Sequence, residues 1–177
     1  MFQKTTLILI LLASLLQANE KISIEEILKT NYEDNISIEK KSLILTKEDT
    51  KIIQQRAKAK LSSKIVRYYS ITKKQKPLGH ALLLQQRIRT KKAGILYMVD
   101  NNNSIISLEI VAFHEPSEYK PNDEWKKVFE GKTLKDELKA GQDIATISGA
   151  TLSARAISDS ARIALAIVEK KLSVDKK

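Results

Sequence analysis

Apolar residues fall into two rhythms along this 177-residue chain. Between residues 64 and 112 they come in short runs of Val, Ile, Leu and Tyr, broken by clusters of Lys, Gly and Asn. Beyond residue 152, Ile157, Ala161, Ala164, Leu165 and Val168 recur at helical spacing. The first rhythm belongs to strands, the second to an amphipathic helix. Strands are predicted at residues 64–71, 79–88, 94–99 and 104–112, with a basic turn at 73–76 closed by Pro77. Asp100-Asn101-Asn102-Asn103 is a strong turn signal, so the last two strands should pair as an antiparallel hairpin. In the last strand Ile106, Leu108, Ile110 and Ala112 alternate with Ser107 and Glu109, which predicts one buried face.

Helices should flank this block. Ser23 caps a short helix over residues 23–29, with Glu26 completing a capping box. Residues 31–41 are polar and read as loop or weak strand. Thr46 caps a second helix running to about residue 61, with Glu48 and Asp49 complementing its dipole and Ile52, Ile53 and Ala57 giving a narrow apolar face. Residues 113–120 leave the sheet as a loop limited by Pro116 and Pro121, and a short helix over 122–129 ends at Gly131. Residues 134–141 carry no decisive pattern. The final helix spans about 152–172, with Arg155, Asp159, Arg162 and Glu169 as its wet stripe and Arg155 paired to Asp159. The expected fold is a single α+β domain, an antiparallel sheet flanked by helices.

At the mouth of the final helix runs Asp143-Ile144-Ala145-Thr146-Ile147-Ser148-Gly149-Ala150-Thr151-Leu152-Ser153. The first N–H groups of a helix are unpaired and carry partial positive charge, a natural seat for a phosphate. Ser148, Gly149 and Ala150 have little side-chain bulk, and Thr151 should stand at or next to the N-cap. An ordinary helix cap is the simpler reading of those residues taken alone.

The Ser148-Gly149-Ala150-Thr151-Leu152-Ser153 segment resembles the flavin-attachment motif of the FMN-binding domain family, which includes subunits of membrane sodium-pumping and proton-coupled reductases and many small exported proteins. Leu45 to Asp49, Glu109 to Tyr119, Trp125 to Gly131 and Gly141 to Arg155 are similar to further parts of that family, so the resemblance covers roughly residues 43–170. It implies a flavin site at the N-terminus of the C-terminal helix. Thr151 would carry FMN through a phosphoester made by a flavin transferase with FAD as donor. Ala145 stands where the family's motif commonly has an acidic residue, with Asp143 two positions earlier. The resemblance gives Ile147, Ser148, Gly149, Ala150, Leu152 and Ser153 as the residues around Thr151, with Ser148 and Ser153 able to donate to the phosphate. It brings the loop of His114, Glu115 and Pro116 near the flavin, Glu115 toward the ring edge or the ribityl chain. His114 is equally well a surface histidine, and Tyr119 and Trp125 are either stacking faces or core.

Composition narrows the chemistry. The chain has no cysteine, which excludes disulfides, c-type haem attachment, thiolate iron–sulfur clusters and thiol catalysis. His80 and His114 are its only histidines, so a histidine-rich metal site is not expected. No catalytic triad or carboxylate pair stands out, and the chemistry is expected to be the cofactor's. Lys4, the apolar run 7–16 and Gln17-Ala18 read as a secretory signal peptide over residues 1–18, leaving 19–177 as the FMN-binding domain. An uncleaved anchor is the alternative, and either places the domain in the periplasm or otherwise outside the cytoplasm. The net charge of +10 is lopsided: residues 19–100 hold 18 Lys and Arg against 9 Asp and Glu, residues 101–177 hold 12 against 12. In an exported protein this argues against nucleic acid and suits an anionic membrane surface or an acidic redox partner, or a merely soluble surface. The expected function is an exported FMN-binding electron carrier between a membrane-associated or periplasmic donor and an acceptor. A non-covalent FMN or other ligand-binding module, acting as sensor or assembly factor, is the alternative. An enzyme acting on its own small substrate is a third reading, weighed below the carrier.

Overall fold

The computed structural model describes residues 23–32 and 35–173. The signal peptide expected over residues 1–18 lies outside the described residues. In chain order the elements are α1 (Ile24–Tyr32), β1 (Ser37–Ile44), α2 (Lys47–Ala57), β2 (Ile65–Lys73), β3 (Lys76–Arg87), β4 (Lys92–Asp100), β5 (Ile105–Phe113), α3 (Asp123–Lys126) and α4 (Thr151–Ile167). The strands form one five-stranded antiparallel sheet in sequence order, β1-β2-β3-β4-β5. The α+β expectation holds, and so does the β4–β5 hairpin, closed by Asp100 accepting from Asn102 and Ser104. At the expected basic turn between β2 and β3, Lys74 (φ 48°) and Gln75 (φ 64°) take the left-handed pair of a two-residue hairpin loop.

Both faces of the sheet are covered, which explains the unbroken apolar run of β4. Ile95, Tyr97 and Val99 point into the main core with α2 and α4, while Leu96 and Met98 join Leu28 and Tyr32 of α1. The alternation read over residues 104–112 predicts one buried face for that strand only. Tyr97 is fully buried, and its hydroxyl bonds the Ile157 carbonyl at 2.9 Å and the Ser160 hydroxyl, which clamps α4 onto the sheet. On α4, Ala154, Ala161, Ala164 and Ser160 are buried, so the helix seats closely. Leu165 and Ile163 of the same helix each contribute about 1.5–3 kcal/mol of apolar burial.

Local signals set several boundaries. Ser23 and Glu26 form the expected box at α1, which runs on to Tyr32. Thr46 and Asp49 form another at α2, and Asn122 caps α3 through the Trp125 N–H. The second helix stops at Ala57 rather than near residue 61, because Lys58 turns left-handed at φ 49°. Part of the polar stretch 31–41 is the start of β1, held by its ladder to β2 although its burial is slight.

Two expectations need correction. In β5, bulges opposite Met98/Val99 and Gly94/Ile95 break the alternation. Leu108 and Ile110 face the main core, whereas Ile106 packs with the α1 cluster. On α4, Arg162 is no part of a wet stripe. It is buried, and its guanidinium donates to the carbonyls of Ala57, Glu137 and Leu138 and to Asp159. Asp159 therefore pairs with Arg162, and Arg155 lies exposed. The final helix otherwise matches, Thr151–Ile167 passing into a wider π turn over Val168–Leu172.

Candidate functional site

Helix α4 begins without a side-chain cap. Its N-cap is Ala150 (φ −126°, ψ 32°), which has no side-chain oxygen to offer the first N–H groups, and Thr151 is the first helical residue. A turn closed by the Ala150 N–H on the Ile147 carbonyl at 3.0 Å delivers the chain to this point. Gly149 sits in that turn at φ +74°, a conformation costly for other residues, and a Cβ there would meet nothing within 4 Å. The result is a helix end with free N–H groups and open space before it, the arrangement that attracts an anion.

That space is a cleft of about 260 Å³ lined by Gly149, Ala150, Thr151, Leu152, Ser153, Ile88, Arg89 and Tyr119. Thr151 is half-buried and Leu152 is 47% exposed. Ser153 is buried, and its hydroxyl donates to the Tyr119 carbonyl at 2.6 Å, so its proton is engaged in holding the cleft wall. Opposite the helix stands the turn between β3 and β4. Glu115 lies beneath it, accepting the N–H groups of Arg89 (3.1 Å), Thr90 (2.6 Å) and Lys91 (2.7 Å) on one carboxylate oxygen. Arg89 projects from the turn with its guanidinium 5.9 Å from the centre of the Tyr119 ring.

The structure thus brings residues 149–153 and Tyr119 to one cleft. Ser148 is exposed beside it, and Ile147 packs against the main core. His114 and Pro116 are exposed on the loop after β5 and do not line the cleft, and Glu115 is taken up by the β3–β4 turn. Trp125 belongs to the core: it is buried, meets Phe129 edge-on at 5.2 Å, and donates its indole N–H to the Ala145 carbonyl at 2.7 Å. Asp143 accepts from the N–H groups of Leu138 (3.0 Å) and Lys139 (2.8 Å), which secures the loop before the motif. Arg89 escaped the sequence reading. Its neighbours Arg87, Lys91 and Lys92 look alike in sequence, and only the pairing of β3 with β4 selects the one that reaches the cleft.

The Lys91 N–H, followed by those of Thr90 and Arg89, holds the Glu115 carboxyl below its ordinary 4.5 against the opposing pull of burial. A depressed folded-state pKa means that Glu115 stabilises the turn fully above pH 4.5 and loses that effect as pH falls through the lower folded value. Amide exchange at Arg89, Thr90 and Lys91 should therefore be slow at neutral pH and quicken below pH 4.5. In Glu115→Gln it should be fast at both, and a pH-independent wild-type rate after correction for intrinsic exchange would refute this.

The residues present fit a phosphorylated flavin in three respects: unpaired helix N–H groups, a hydroxyl at the first helical position, and a cation in the same cleft. No helix among the described residues is long and apolar enough to cross a membrane. No curated protein matches the chain, and no solved structure does. The model of the FMN-binding domain family matches residues 91–166, a segment that begins at the edge of β4 and ends within α4. Residues 91–166 thus match an FMN-binding domain, which indicates FMN as the cofactor.

Proposed function

We propose that the chain is an exported electron-transfer protein whose FMN is held by a phosphoester to Thr151. The observation that carries this reading is the position of Thr151, a hydroxyl within the segment that matches the family, at the first residue of an uncapped helix and lining a cleft. A threonine hydroxyl is a weak nucleophile unless a base or metal activates it. None of the residues lining the cleft is a carboxylate or a histidine, so a flavin transferase supplies the activation. Thr151 Oγ1 forms the new bond to the FMN-side phosphorus of FAD. The pyrophosphate P–O bond breaks, AMP leaves, and the hydroxyl proton passes to the transferase. The helix N–H groups at Thr151, Leu152 and Ser153 would hold the phosphate, and Ser148 lies near enough in sequence to donate from outside the turn. FMN when bound supplies the exchange between two-electron and one-electron transfer.

The leader-like residues 1–18 support export, and a covalent bond suits a compartment where a lost flavin is not readily replaced. The surplus of Lys and Arg in residues 19–100 supports docking to an acidic redox partner or an anionic membrane surface. Electron transfer to that partner should slow as salt rises, and a salt-independent rate would sink the docking surface.

The reading is tested by the intact mass of the exported chain made together with a flavin transferase. A gain of one FMN less one water is expected. A second reading, reversible FMN binding, draws on Asp143: both its oxygens are bonded to loop N–H groups, and Ala145 offers no carboxylate in its place. Yellow protein of unmodified mass that releases its flavin on denaturation would establish that reading instead.

A further inference from the structure

The geometry points to Arg89 as the side chain that neutralises the FMN phosphate, and to Glu115 as the residue that positions it; the inference rests on the proposed seat of FMN at Thr151. A phosphodiester keeps a full negative charge, whereas a helix N-terminus offers roughly half a positive one. The balance has to come from a cation at the same place. Among the residues lining the cleft, Arg89 alone is charged. Among the described residues no carboxylate forms a salt bridge with its guanidinium, because Glu115 binds the Arg89 backbone N–H instead. The charge of Arg89 is therefore free for a ligand.

The arginine is also held in advance. Its guanidinium lies over the Tyr119 ring at 5.9 Å, a cation–π contact that restrains an otherwise flexible side chain. Tyr119 is in turn fixed by its carbonyl, which receives the Ser153 hydroxyl from the first turn of α4 at 2.6 Å. The platform for the guanidinium and the helix end that meets the phosphate are thus parts of one bonded unit. From the other side Glu115 gathers three successive N–H groups of the turn that bears Arg89. A guanidinium presents a planar fork suited to two phosphate oxygens, which a lysine cannot match. Arg89 lies two residues before the segment matched by the family model, on the turn between β3 and β4. The consequence is a preference for FMN over riboflavin that resides in one exposed side chain.

The test uses the full chain made without transferase, so that Thr151 is unmodified, titrated with FMN and with riboflavin by flavin fluorescence. Wild type should bind FMN more tightly than riboflavin. Arg89→Gln should weaken FMN about tenfold and leave riboflavin unchanged. Arg89→Lys should recover part of the loss, and Glu115→Gln should lower FMN affinity selectively but less. A second readout serves if reversible binding is weak: in transferase-loaded protein the phosphorus NMR shift of the attached phosphate should differ between wild type and Arg89→Gln. Equal FMN affinities, or equal phosphorus shifts where binding is too weak to measure, would overturn the role of Arg89 and leave the attachment at Thr151 standing. A wild type that binds neither flavin and gains no mass with transferase would remove the seat of FMN, and this inference with it.

Discussion

Thr151→Ala is expected to abolish FMN loading while leaving stability within about 0.5 kcal/mol of wild type. The two outcomes separate because the hydroxyl does nothing for the fold. Thr151 is half-buried and makes no side-chain hydrogen bond among the described residues, and the helix it opens is held by Tyr97, Arg162 and its buried small residues. Alanine is a better helix former than threonine, so the backbone loses nothing. Intact mass after expression with transferase should show the unmodified chain, and a thermal melt should superimpose on that of unloaded wild type. Thr151→Ser retains a hydroxyl at the same helical position and should still load. Loading of the alanine variant at the wild-type level would place the ester on another hydroxyl, Ser148 being the nearest in the motif.

Arg162→Ala should destabilise the fold by about 3–5 kcal/mol, a fall in Tm of roughly 6–20 °C. The buried guanidinium joins three separate pieces of chain: the end of α2 at Ala57, the loop carbonyls of Glu137 and Leu138, and α4 itself through Asp159. Truncation leaves those carbonyls without a donor in a space too closed to rehydrate well. Lysine has one ammonium for groups that lie in different directions, so Arg162→Lys should recover little. Arg155→Ala, an exposed change one turn into the same helix, is the control and should fall within about 0.5 kcal/mol of wild type. A loss under about 1 kcal/mol in Arg162→Ala would mean that the loop before the motif is secured by Asp143 and Trp125 alone.

Much of the architecture was legible because its signals are local. The Ser23–Glu26 box, the Thr46 cap, the Asp100 turn and the apolar stripe of α4 each lie within a few residues of the element they set. What escaped depends on distant partners. Residues of β1 look polar because a strand at the sheet edge takes its order from the ladder with β2 rather than from burial. The second core under α1 is invisible until Leu28 and Tyr32 meet Leu96 and Met98. Ile106 defeats a period-two reading because a bulge is a property of the paired strand, not of one strand's pattern. Arg162 fits a wet stripe in sequence and is dry only because α2 and the 137–138 loop close over it. At the site the division is the same. The small residues and hydroxyl of the motif announce the helix end, whereas Arg89 and the supporting use of Glu115 follow from strand pairing.

Trp125, described above as a core residue, is also the chain's one indole. Its N–H is bonded to the Ala145 carbonyl, in the span of backbone that leads into Ser148 and Thr151. Emission from the chain therefore has a single tryptophan source, tied to the approach to the cleft and shielded from solvent by Phe129 and its neighbours. Release of that loop would uncover the indole and shift its emission to the red, and a flavin seated nearby would absorb the energy it emits. The protein carries an optical indicator of the order of its own binding loop, legible without any added dye.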